Sequence, residues 1–163
     1  MLTVVTPAGI ITGYGCAPAS PADQRMADTL LAARACPQSR LPEAGRALGG
    51  GDSLADTHFE GKRWGPHWRH DYAAVVLCPP KRHQPFPVPW PHALRRAFAG
   101  LREIVESVHH NLLTSFSLGQ QRPPTLAGLR THLAAAVTLH TICCWLNQRL
   151  DRPGLAFADL VDW

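Results

Sequence analysis

From Pro91 to Leu150 apolar residues recur at helical spacing, and the pattern breaks once, at Pro123-Pro124. Two long helices are therefore the strongest constraint on the fold. The first is expected over about Pro91 to Phe116, with Leu94, Phe98, Leu101, Val105, Val108 and Leu112 on one stripe. The second is expected to start after Thr125 as N-cap and to run to about Leu150, ahead of Pro153. It is apolar on most sides (Leu126, Leu129, Leu133, Val137, Ile142, Trp145, Leu146), which predicts deep packing.

The preceding part of the chain reads as sheet. Leu2 to Thr6 and Ile10 to Cys16 are β-rich runs around the turn Pro7-Ala8-Gly9, which predicts a hairpin. Ser20 and Pro21 open a helix expected to end at about Ala35, with Met26, Ala27, Leu30, Leu31 and Ala33 forming its buried stripe. Residues 36–51 are loop-like. A short strand is expected at Ser53 to Phe59 and a short helix at Gly61 to Asp71. The apolar run Ala73 to Cys78, stopped by Pro79-Pro80, predicts a central strand buried on both faces. The order β-β-α-β-α-β-α-α implies a mixed α/β fold and is compatible with a ribonuclease-H-like sheet lacking its first strand. One domain is expected over 1–163, with residues 1–78 forming the sheet part and 91–150 the two helices.

Composition sets outer limits. The chain has 163 residues, 45% apolar and 17% charged, as ordinary folded proteins do. It has no run near the roughly 18 apolar residues of a membrane span, which predicts no membrane partner. Its N-terminus lacks a secretory pattern, and its five cysteines do not form a disulfide framework, so a cytoplasmic protein is expected. The net charge is +4 and the only lysines are Lys62 and Lys81. Arginine suits phosphate recognition because its fork of donors matches phosphate oxygens.

Two carboxylates stand out. Glu106 sits beside Val105 and Val108, near the apolar stripe of a long helix, where a carboxylate is costly unless paired or bound to metal. Arg102 lies one helical turn earlier, so a plain Arg–Glu surface pair is the competing explanation. Asp56, in Ser53-Leu54-Ala55-Asp56-Thr57-His58-Phe59, suits a carboxylate at a strand's C-terminal end; the alternative is a turn Asp capping the next helix. Asp52 directly follows three glycines and reads as loop. Between the two carboxylates lie Lys62, Arg63, Arg69, Lys81, Arg82, Arg95 and Arg96, interleaved with Trp64, Trp68 and Trp90. They suit either phosphate contacts with base stacking or a solvated basic face with core tryptophans. The histidines (His58, His67, His70, His109, His110) and the adjacent Cys143-Cys144 lack zinc-site spacing; His109, three residues past Glu106, suits either a place lining a site there or the helix's polar face.

Taken together, these segments resemble bacterial insertion-sequence transposases with a DDE catalytic domain. The resemblance rests on Leu54-Ala55-Asp56 and on Arg102-Glu103-Ile104-Val105-Glu106-Ser107-Val108. It extends to Thr6-Pro7-Ala8-Gly9-Ile10-Ile11-Thr12-Gly13, Val76-Leu77-Cys78-Pro79-Pro80 and Leu155-Ala156-Phe157-Ala158-Asp159-Leu160. It implies an integrase-like fold and Mg²⁺, with Mn²⁺ as substitute, held by Asp56 and Glu106, with Arg102 supporting Glu106. The implied partners are insertion-sequence ends and target DNA, with assembly into a homo-oligomer or with full-length transposase. The chain departs from the pattern in two ways. Ala99 and Leu113 stand where the wider signature has Tyr and Lys, and no Asp precedes the hairpin; the first Asp, Asp23, is in a helix. A truncated or second-frame product that cleaves DNA poorly alone is therefore expected, and a DNA-binding regulatory fragment is the alternative.

Overall fold

The computed structural model describes residues 1–17, 23–35, 52–80, 90–120, 123–157 and 160. Their elements are β1 (Leu2–Val5), β2 (Ile11–Gly15), α1 (Asp23–Ala35), β3 (Asp52–Leu54), a 3₁₀ turn (Thr57–Phe59), α2 (Trp64–Tyr72), β4 (Val75–Leu77), α3 (His92–Leu113) and α4 (Leu126–Arg149). The chain is mixed α/β. Its described strands form two separate two-stranded sheets, β1 with β2 and β3 with β4. It divides into two compact units: Met1–Thr3 with Gly13–Arg96, and Val4–Thr12 with Ala97–Trp163.

In the first unit β3 and β4 run parallel, with Asp52, Ser53 and Leu54 facing Val75, Val76 and Leu77. A parallel pair needs a crossover, and α2 supplies it. Three expectations for this region need correction, the first being Asp52, which was read as loop and is the opening residue of β3. The strand expected over Ser53 to Phe59 stops at Leu54, because the Asp56 side chain accepts a hydrogen bond from Thr57 N and starts the 3₁₀ turn. The apolar run Ala73 to Cys78 is divided: Ala73 takes a left-handed φ of 51° to end α2, and only Val75–Leu77 is strand. That strand is not buried on both faces; Val75 and Val76 are half-buried and Leu77 is exposed. The core here is Ala27, Leu31, Trp68 and Ala74, joined by Phe59, Trp64 and Val76. Of the stripe expected on α1, Ala27 and Leu31 are buried, whereas Ala33 is exposed and Arg34 is buried instead. Ser20 and Pro21 lie outside the described residues.

In the second unit α3 and α4 contribute Val108, Leu112, Leu133, Ala136, Val137, Cys143 and Cys144 to a core closed by Ile11, Phe116 and Phe157. Thr125 caps α4 by accepting from Gly128 N at 3.0 Å, as its sequence position foretells. The hairpin turn requires Gly9, whose φ is +82° and where a Cβ would lie 2.6 Å from Leu155 Cδ2. Asn147, fully buried, donates to the Gly154 and Ala156 carbonyls at 3.2 and 3.0 Å and so holds the segment after α4. α4 is not packed on most sides: Leu139, Ile142, Trp145 and Leu146 are exposed. No helix among the described residues is long and apolar enough to cross a membrane.

Candidate functional site

Asp56 lies two residues past the end of β3, just after the Ala55 N–H bonds Leu77 O at 3.0 Å. It therefore stands at the C-terminal edge of the parallel pair, where open α/β sheets bind ligands. Its side chain is 51% exposed. It is also structurally engaged: Oδ1 accepts from Thr57 N at 2.6 Å and from Thr57 Oγ1 at 3.2 Å, and Oδ2 lies 3.7 Å from His58 Nδ1. The capping role and the edge position coexist in one residue.

Glu106 is not among the apolar side chains of α3. Its side chain is 62% exposed, and Oε1 accepts from Arg102 Nε at 2.8 Å. The reason is angular: on a helix residue 106 points about 200° away from residue 108, which is buried. Glu106 shares an open groove of about 560 Å³ with Glu103, Ser107, His110, Asn111 and Leu155. The five from α3, Glu103 to Asn111, fall at i, i+3, i+4, i+7 and i+8 along the helix, one polar face. Leu155 closes the groove because Asn111 Nδ2 donates to its carbonyl at 3.4 Å. The histidine of this groove is His110, not His109; His109 is half-buried, and burial lowers its pKa. Sequence reasoning passed over Glu103 and Ser107 and weighed His110 only as a zinc ligand, although their shared helical face was readable.

Asp56 belongs to the first unit and Glu106 to the second. Both are carboxylates, the donor type that Mg²⁺ and Mn²⁺ prefer. Among the described residues no group of three or more His, Cys, Asp or Glu side chains is placed to hold a metal ion together.

Of the basic residues, Lys62, Arg63, Arg69, Arg95 and Arg96 are exposed; Lys81 and Arg82 lie outside the described residues. The tryptophans behave differently from one another. Trp68 is 1% exposed, and its Nε1 donates to Asp28 Oδ1 at 3.1 Å, so it is core and unavailable to a base. Trp64 is half-buried and stacks on Trp68 at 5.7 Å, while the Arg63 guanidinium sits 5.9 Å over its ring.

Two further groups have no signal in sequence. His67 Nε2 lies 2.9 Å from Asp28 Oδ1 and its Nδ1 lies 2.5 Å from Asp71 Oδ2. Asp71 also hydrogen-bonds His70, and that bond, foremost, holds its carboxyl below the ordinary value. In the second unit His140 is fully buried between Phe116 and Phe157, and burial pushes its pKa down to about 4.

No known protein family, curated protein or solved structure matches this chain.

Proposed function

We propose that the chain acts in DNA transposition as the later part of a DDE-type catalytic domain with a ribonuclease-H-like sheet. The observation that carries this reading is the position of Asp56, at the C-terminal edge of a parallel strand pair, in the sequence context Leu54-Ala55-Asp56. On α3, Glu106 is solvent-accessible, oriented by Arg102 and set in a polar groove.

In this reading Asp56 and Glu106 are two of the carboxylates that hold Mg²⁺, or Mn²⁺ in its place. The bound metal supplies an activated oxygen nucleophile and stabilises the leaving oxygen. Arg102 holds the Glu106 carboxylate in place, and Lys62, Arg63, Arg69, Arg95 and Arg96 contact phosphates. With one carboxylate lacking, the chain alone cleaves DNA weakly or not at all.

A second reading, a DNA-binding regulatory fragment, is favoured by a different observation. Asp56 and Glu106 each have a structural partner, Thr57 and Arg102, while Lys62, Arg63 and Arg69 are exposed. Mn²⁺ binding, followed by the loss of the free-ion signal in electron paramagnetic resonance, separates the two. The enzyme reading expects binding that weakens in both Asp56→Asn and Glu106→Gln. Binding indifferent to both substitutions would refute it. Retention of salt-sensitive DNA binding, weakened by Arg69→Ala, would then leave the regulatory reading. Robust Mg²⁺-dependent nicking abolished by Glu106→Gln would overturn the expectation that the chain is inactive alone.

A further inference from the structure

In the second unit, the side of α4 away from the core is a stripe without charged residues from Thr131 to Leu146, with the Arg149 guanidinium 5.1 Å over the Trp145 ring at its end. Thr131, Ala135, Thr138, Leu139, Ile142, Trp145 and Leu146 are all exposed along it. Ile142 and Trp145 keep 46% and 50% of their surface in water. Between Arg130 and Arg149 the helix has no Asp, Glu, Lys or Arg. A helix face in solvent normally carries charge, and this one exposes on the order of 500 Å² of apolar surface in one strip, the size of patch that marks an interaction site.

We infer that this face pairs with a second copy of itself, the two α4 helices packing antiparallel about a two-fold axis near Thr138 and Leu139. The size gradient along the stripe selects that occupant and that direction. The N-terminal half is small (Thr131, Ala135, Thr138) and the C-terminal half is bulky (Leu139, Ile142, Trp145, Leu146). With the axis at that point, Thr131 meets the second copy's Leu146, Ala135 its Ile142 and Thr138 its Leu139. Three layers then set a small side chain against a large one, the arrangement that fills space between helices, while Trp145 falls opposite the half-buried His132. Parallel pairing would set Ile142 on Ile142 and Ala135 on Ala135, crowding one half and leaving the other hollow. A two-fold interface is self-complementary by construction, which this stripe is. Two copies would bury roughly 1,000 Å², the lower bound for a specific interface, so the dimer is a weak one. The inference is independent of the roles given to Asp56 and Glu106.

Sedimentation velocity on the full chain, from about 1 to about 200 µM, tests it. A reversible monomer–dimer equilibrium is expected, and Ile142→Glu should weaken it about tenfold or more. Leu139→Gln, an independent change on the same face, should weaken it too, with circular dichroism showing that both variants fold. The direction is tested by combining Ala135→Lys with Ile142→Glu. These positions are seven residues apart, too far to pair within one helix. Across an antiparallel dimer the introduced lysine meets the introduced glutamate twice, so dimerisation should return toward the unsubstituted level. A monomer at every concentration, or a dimer indifferent to both single changes, would overturn the inference. A double variant no better than Ile142→Glu alone would overturn the antiparallel geometry.

Discussion

Acidification should destabilise the second unit through His140. The ring is fully buried, with Phe116 and Phe157 centroids 6.0 and 5.0 Å away and Cys144 Sγ 3.8 Å from Nδ1; Nε2 has no hydrogen-bond partner. Nothing there compensates a positive charge, and burial lowers the pKa from 6.5 to about 4. The folded value lies below the unfolded one, so the unfolded chain takes up the proton first. The stability that neutral His140 protects is therefore complete above about pH 6.5, falls as the pH drops toward about 4, and changes no further below that. The gap corresponds to roughly 3 kcal/mol, a large share of the ~5–15 kcal/mol that holds a domain together. Urea denaturation followed by circular dichroism, at about pH 7, 6, 5 and 4, measures the loss. His140→Phe keeps a ring in the aromatic cluster and removes the titration, so the variant should lose far less stability over the same window. Asp71, whose carboxyl is held below its ordinary value, titrates outside this window: what it contributes is present above its unfolded pKa of about 3.8 and is lost below it. A His140→Phe variant with the unsubstituted chain's acid sensitivity between about pH 6.5 and 4 would refute the assignment of that loss to His140.

Asp28→Ala should cost about 2–4 kcal/mol in urea denaturation read by tryptophan fluorescence, because the carboxylate accepts from both Trp68 Nε1 and His67 Nε2 and its loss leaves a buried indole N–H unmet. Thr125→Ala should cost about 1 kcal/mol, measured the same way, through loss of the α4 cap, and Thr125→Ser should restore most of it. Native-state labelling with a maleimide, mapped by mass spectrometry, should modify exposed Cys16 and spare Cys144, which is fully buried with its thiol pKa pushed up to about 11.

The long-range plan of the chain was legible because it is written in periodicity. α3, α4 and the Thr125 cap fall within a few residues of their expected places, since apolar spacing and a capping side chain act locally. Burial was less legible, because it depends on what the rest of the chain brings. α4 is apolar nearly all round, yet only one side of it meets the core. His140 gives no local hint of its environment, which is built by Phe116 and Phe157 from other segments. The same holds for Trp68, whose acceptor Asp28 is 40 residues away.

The candidate carboxylates show a subtler limit. Glu106 was judged by its neighbours in sequence, but helical geometry turns it away from Val108 and onto the face it shares with Glu103, Ser107 and His110. Asp56 was placed correctly at the strand's edge for a reason that serves two ends. A parallel strand that stops needs its next turn capped, and an Asp does that; a ligand site at the same edge needs an Asp too. Sequence therefore cannot divide capping from ligation at Asp56, and substitution can. Asp56→Asn keeps an acceptor for Thr57 N but removes the charge a cation needs, so unchanged stability with lost Mn²⁺ binding would isolate the second role from the first.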